Sequence, residues 1–244
     1  MNTRGRAWIR AIMPPILYSA YRQWRRPRPA DQNGDSQIES HRRAVGGVWD
    51  EIGELQFDFM AQQGLRPDHR LLDIGCGSLR GGVRFVRYLG DGHYYGIDSQ
   101  QWLLDAGKRI ELARAGLADR TAHLLCRDDF DFSVFGVAFD YAIAQSVFTH
   151  LPWNSILRCL VNAQKALKPE GRFYATFFQD KTGESRISPL THPIGGRVTY
   201  PDRDPYHYEF DVFEELARRV GLKVDYIGEW NHPRDQMMMV FTRR

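Results

Sequence analysis

Short apolar runs alternate with longer amphipathic ones along most of this chain. Leu71-Leu72-Asp73-Ile74 reads as a strand covered on both faces, and comparable runs recur at His93 to Ile97, Thr121 to Cys126, Tyr141 to Ala144 and Arg172 to Phe178. Helical patterns lie between and around them. Ser40 to Gln63 carries Val48, Ile52, Leu55 and Phe59 at helical spacing, with a break expected at Gly46-Gly47. Trp102 to Ala115 is stopped by Gly116, and Asn154 to Leu167 carries Ile156, Leu157, Leu160 and Val161. Strand and helix in alternation predict a parallel sheet clothed by helices on both faces. After an irregular stretch from Gln179 to Tyr208 come a helix, Val212 to Val220, and two strands, Lys223 to Trp230 and Gln236 to Thr242. The short connection between those strands, Asn231 to Asp235, permits an antiparallel hairpin.

The start of the chain breaks this rhythm. Trp8 to Trp24 mixes Ile9, Ile12, Ile16, Leu17 and aromatics with arginines, and Pro14-Pro15 interrupts any single helix. The uncharged stretch between Arg10 and Arg22 is shorter than the roughly 20 residues a membrane-spanning helix needs. Pro27 to Gln37 reads as a linker. The chain therefore divides into a basic amphipathic tail with its linker, residues 1–37, and one α/β domain, residues 38–244, which is as much as 244 residues accommodate.

Charge sharpens that division. The formal net charge is +3, yet residues 1–30 hold seven arginines and no acid, so the remainder carries a net charge of −4. Such a body lacks the basic groove that phosphate neutralisation requires, and no nucleic-acid partner is expected. The tail points to an anionic membrane surface, with Trp8, Tyr18, Tyr21 and Trp24 at headgroup level; a protein-docking segment, a transit peptide and an unstructured tail are the alternatives. Cys76, Cys126 and Cys159, odd in number and widely spaced, give neither a disulfide framework nor metal-ligand spacing. A cytoplasmic protein, at most peripheral to the membrane and holding no metal, is expected.

The chemistry concentrates where the first strand ends in an acid and runs through Gly75-Cys76-Gly77-Ser78-Leu79-Arg80-Gly81-Gly82 into a helix. Glycines there permit a tight turn and close approach of a nucleotide-like ligand, and the amides of the turn are expected to face it. A dinucleotide fingerprint starting at Gly75 would need glycine where Arg80 stands. That glycine allows close helix packing beside a pyrophosphate, so an NAD-dependent oxidoreductase is the weaker alternative. At the carboxyl end of the second strand, Asp98 is placed to accept both hydroxyls of a ribose.

The glycine turn resembles motif I of the class I S-adenosylmethionine (SAM) dependent methyltransferases, an acid followed by glycines at alternate positions. Asp73, Gly75 and Gly77 match it, while Leu79 stands where the fullest form has a third glycine. The closing hairpin extends the resemblance to residues 38–244, because that family ends its sheet with an inserted antiparallel strand. The resemblance implies a Rossmann-like, seven-stranded, mostly parallel sheet with an antiparallel C-terminal strand, SAM as cofactor, and methyl transfer as the activity. It also implies that Gly75, Cys76 and Gly77 line the methionine part of SAM and that Asp128 or Asp129 holds the adenine amino group. Gln145 and Ser146 would border the cofactor, and Gly46, Gly47 or Arg80 its carboxylate, unless Arg80 instead pairs with a surface acid.

Methyl transfer from a sulfonium is an in-line displacement, so alignment and exclusion of water supply much of the rate. A hydroxyl acceptor adds the need for a base, for which His150 and His207 are candidates, with His232 a third. Methyltransferases acting on DNA bases resemble one another in an Asn/Asp-Pro-Pro-aromatic motif after strand four, where this chain has Ala144-Gln145-Ser146-Val147. The expected acceptor is therefore a hydroxyl on a small molecule or saccharide, and the tail would suit a lipid-linked glycan. A SAM-binding regulator or scaffold without turnover is the non-enzymatic alternative.

Overall fold

A computed structural model describes residues 40–183, 185 and 187–244, and residues 41–244 form one compact unit. Every reading of the tail therefore falls outside the described residues. The helices are α1 (Trp49–Gln62), α2 (Gly82–Tyr88), α3 (Gln101–Ala106), α4 (Trp153–Ala166) and α5 (Phe210–Arg219). The strands are β1 (Leu71–Ile74), β2 (Tyr94–Asp98), β3 (Ala122–Cys126), β4 (Phe139–Ala144), β5 (Leu167–Gln179), β6 (Leu190–Thr191), β7 (Val198–Thr199), β8 (His207–Tyr208), β9 (Leu222–Gly228) and β10 (Gln236–Arg243).

Seven strands run in the order β3-β2-β1-β4-β5-β10-β9, and only β10 lies antiparallel to its neighbours. This is the expected mostly parallel sheet with its antiparallel last strand. Alternation along β1 explains its two-sided burial: Leu72 and Ile74 join the cluster holding Phe148, Phe173 and Phe213, while Leu71 packs opposite with Met60, Phe85 and Tyr94. Asp73 lies on the Leu71 face, so a carboxyl enters an otherwise apolar layer.

Several elements differ from the pattern-based expectation. The break at residues 45–48 is real, with positive φ at Gly46, Gly47 and Val48. The buried stripe of α1 is Ile52, Gln56, Phe59 and Met60, rotated from the expected one, and Val48 is exposed. The helix begun by α3 passes through a π-turn at Gly107–Leu112. Glu111, within that turn, is buried and takes Arg42 at 2.7 and 2.8 Å. The region read as irregular contains the β6-β7 ladder and β8, which pairs parallel to the end of β5.

Candidate functional site

The chain leaves β1 for β2 and β3 on one side, then crosses to β4 on the other. That reversal opens a crevice at the carboxyl ends of β1 and β4. Asp73 pairs with Ile143 across the two strands, so the glycine turn and the segment Gln145-Ser146-Val147 emerge beside each other. Gly75 has φ +71°, and a Cβ there would lie 2.5 Å from Val147 Cγ2; Gly77 has φ +55°, with Val45 Cγ1 at 2.7 Å. Both positions need glycine for backbone conformation and to let Val147 and Val45 close over the turn.

The amides of that turn do not face outward as expected. Gly75 and Cys76 donate to the Ile97 carbonyl at 2.7 and 3.1 Å, and Gly77 donates to Asp98 Oδ2 at 2.9 Å. The Gln100 amide donates to Asp98 Oδ1 at 2.9 Å, so Asp98 ties the turn after β1 to the turn after β2. Beneath them Asp73 accepts a 2.6 Å hydrogen bond from the Tyr94 hydroxyl. Burial pushes its carboxyl up to about 7, against the lowering effects of Tyr94 and Arg80.

Arg80 overturns the surface-pair reading: it is 7% exposed. Its Nη1 donates to the carbonyls of Val45 and Gly47 at 2.9 and 3.0 Å, and its Nη2 to Gln145 Oε1 at 2.7 Å. Its Nε is buried without an acceptor, and Arg80 makes no ion pair among the described residues. Burial, then the nearby Arg234, lower its pKa to about 10.

Gln145 is the hub of this crevice. Its Oε1 also accepts from Gln56 Nε2 at 2.9 Å, while its Nε2 donates to Ser146 Oγ at 2.6 Å and faces His232 Nε2 at 3.1 Å. One side-chain amide thus uses its full hydrogen-bonding capacity. Ser146, held at φ +57°, donates through Oγ to Gln236 at 2.9 Å, and its amide donates to Thr176 Oγ1 at 2.8 Å. His232 is neutral, its pKa lowered to about 3 by burial and then by Arg80 and Arg234.

Residues 72–173 match the sequence family described as a methyltransferase domain. The motif, the strand order and the antiparallel β10 agree with that match. Residues 72–173 carry a methyltransferase domain, and the chain is similar to the class I, SAM-dependent methyltransferases. Solved structures agree on the fold. A SAM-dependent methyltransferase from Clostridium acetobutylicum superposes with a TM-score of 0.61 at 10% identity, covering 86% of this chain and 97% of that one. Magnesium protoporphyrin IX methyltransferase from Synechocystis, crystallised with bound SAM, gives 0.57 at 12% identity, covering 93% and 92%. A putative O-methyltransferase from Nostoc punctiforme gives 0.61 at 17% identity, covering 92% of this chain and 66% of that one.

The methyltransferase crevice suits SAM in two respects. A buried guanidinium without an anionic partner could receive the methionyl carboxylate, and Asp98 stands at the end of β2 where ribose hydroxyls could reach it. The remaining expected site residues separate. Asp129 is engaged by Arg127 through both oxygens, which holds its carboxyl down to about 2, whereas Asp128 is exposed with no such partner. Cys76 is a packing residue, since burial pushes its thiol well up.

His150 lies in the short helical turn Phe148–His150 beyond β4, its side chain 55% exposed and its Nδ1 against Asp204 Oδ1. His207 is a correction. It is buried, with Nδ1 on Thr199 Oγ1 at 2.8 Å and Nε2 on the Ser185 carbonyl at 3.0 Å, so it braces the stretch between β5 and α5 and has no ring nitrogen to offer a substrate. Gln56, Thr176, Gln236 and Arg234 escaped the sequence reading. Gln56 carried a signal, as an amide on the buried stripe of α1; the others meet only through the antiparallel return of β10 beside β5. Among the described residues no helix is long and apolar enough to cross a membrane, and no cluster of side chains suits a metal.

Proposed function

We propose that this domain transfers the methyl group of SAM to a hydroxyl oxygen of a small molecule or saccharide. The observation that carries the reading is the His150–Asp204 pair, an accessible imidazole backed by a carboxylate three residues beyond Val147. Asp204 orients Nδ1, which leaves Nε2 to take the proton of an acceptor hydroxyl. The fold likeness to the Nostoc protein described as a putative O-methyltransferase is in keeping with oxygen as the acceptor atom.

When bound, SAM supplies an electrophilic methyl on a sulfonium. The chain's own residues would do the rest by position. Asp98 takes the ribose hydroxyls and Arg80 the methionyl carboxylate. Asp128, rather than the Arg127-bound Asp129, takes the adenine amino group. Gln145 and Ser146 border the methyl-bearing end, and Val45 and Val147 exclude water from the turn.

Incubation with labelled SAM and small-molecule extracts, read by mass spectrometry, should show an O-methyl product. His150→Ala should lower kcat by about 100-fold with SAM affinity unchanged. Methyl transfer to nitrogen, or an unaffected His150→Ala, would overturn the reading; SAM binding with no transfer to any extract would favour a regulator. For residues 1–30 the proposal is an anionic membrane surface, suited to a lipid-linked glycan. Deleting residues 1–34 should abolish sedimentation with anionic liposomes and spare SAM binding, and a full-length chain that never sediments would end that idea.

A further inference from the structure

A second guanidinium converges on the crevice. Arg234, in the loop between β9 and β10, donates through Nη2 to the Gly46 carbonyl, while Arg80 holds the carbonyls on either side, those of Val45 and Gly47. The two cations thus grip one turn, Arg80 from the connection after β1 and Arg234 from the loop between β9 and β10. Arg234 is built in from both sides: a Cβ on Gly46 would lie 2.8 Å from its Nη1, and one on Gly195, in the β6-β7 loop, 3.4 Å from its Cα. Its amide approaches His232 Nδ1 at 3.3 Å, and the His232 ring stacks on Trp230 with centroids 5.4 Å apart.

Neither arginine has a carboxylate partner among the described residues. Their repulsion is opposed at Arg80 by the buried Asp73, which makes no hydrogen bond to it, and the exposed Arg197 of the β6-β7 loop adds to the positive charge around Arg234. Gathering cations with no carboxylate in contact costs free energy unless an anion completes the site. One anion is assigned, since the methionyl carboxylate of SAM goes to Arg80. Arg234 lies beyond Gln145 and His232, on the side of β4 away from Asp98. That is the side on which the acceptor meets the methyl group if the ribose lies at Asp98.

We infer that Arg234 recognises an anionic oxygen group, a carboxylate or a phosphate, on the methyl acceptor. This rests on the methyltransferase reading of the crevice. The acceptor class is then narrower than a neutral sugar or alcohol: a hydroxy acid or a phosphorylated hydroxyl compound. Arg234 is a specificity residue that positions the acceptor, and the fork of its guanidinium matches both anions.

The test uses the full chain saturated with S-adenosylhomocysteine, titrated with inorganic phosphate in one arm and benzoate in the other, at constant ionic strength, and read by thermal shift. At least one anion should raise Tm, and the responding arm identifies the acceptor group. Arg234→Gln should weaken that response by about tenfold or more and leave cofactor affinity within about threefold, with Arg234→Lys intermediate. An anion response unchanged in Arg234→Gln, or a cofactor affinity that falls as far as the anion response does, overturns the assignment. Cofactor binding with no response to either anion overturns it alone, whereas a wild-type chain that binds no SAM overturns the methyltransferase reading as well.

Discussion

Asp98→Ala should lower SAM affinity by about 100-fold or more while the sheet stays folded. The magnitude follows from the bonds lost. Two hydroxyl hydrogen bonds to a carboxylate contribute on the order of 1.5 kcal/mol each, and roughly 1.4 kcal/mol is a factor of ten. The substitution also frees the Gly77 and Gln100 amides that Asp98 accepts, so the turn after β1 loosens as the ribose contact goes. Asp98→Asn separates the two effects, because an amide oxygen restores one acceptor without the charge. Calorimetry of SAM binding, beside circular dichroism and melting of each variant, decides the matter. A folded Asp98→Ala chain that binds SAM as tightly as the wild type would remove Asp98 from the site.

The second large effect is on stability. Gln145→Leu should destabilise the domain by about 3 to 5 kcal/mol, the range seen when a buried charge loses its partner. Leucine is close to glutamine in size, so little of this is packing. It withdraws an acceptor from Arg80, whose Nε already has none, and leaves Gln56, Ser146 and His232 without their common partner. Gln145→Glu gives the complementary result. A carboxylate beside Arg80 should restore melting to near wild type, yet weaken SAM by about tenfold through competition for that guanidinium. Denaturant unfolding and SAM titration on the two variants check both halves, and wild-type melting of Gln145→Leu would show that the hub carries no stability.

Much of this site was legible before any coordinate. The alternation of apolar strands and amphipathic helices is a local property, and the sheet follows from it. Asp98 could be placed because a strand end is a defined point in sequence. Legibility ended where partners come from distant segments. For Arg80 a surface pair stayed open beside the cofactor carboxylate, because it stands just before α2 and nothing nearby in sequence shows that residues 45–47 fold over it. His207 stood among the candidate bases because its loop was expected on the crevice side; Thr199 of the two-residue β7 and the Ser185 carbonyl, which occupy its ring, come from a stretch too short in its repeats to read from sequence. Asp128 and Asp129 could not be told apart because which one Arg127 takes is a matter of side-chain geometry over two residues.

By itself, then, the sequence determined the seven main strands, the parallel run of most of them, the glycine turn with its acid and the family resemblance they carry. These depend on backbone conformation and on periodicity, which neighbouring residues set. Only the tertiary structure decided that the turn's amides face β2, that Gln145 joins four partners, and that Arg80 and Arg234 meet over residues 45–47 with no acid between them. Such placements are set by the crossover at β1 and the return of β10, where desolvation makes each unpaired polar group costly enough to select its partner.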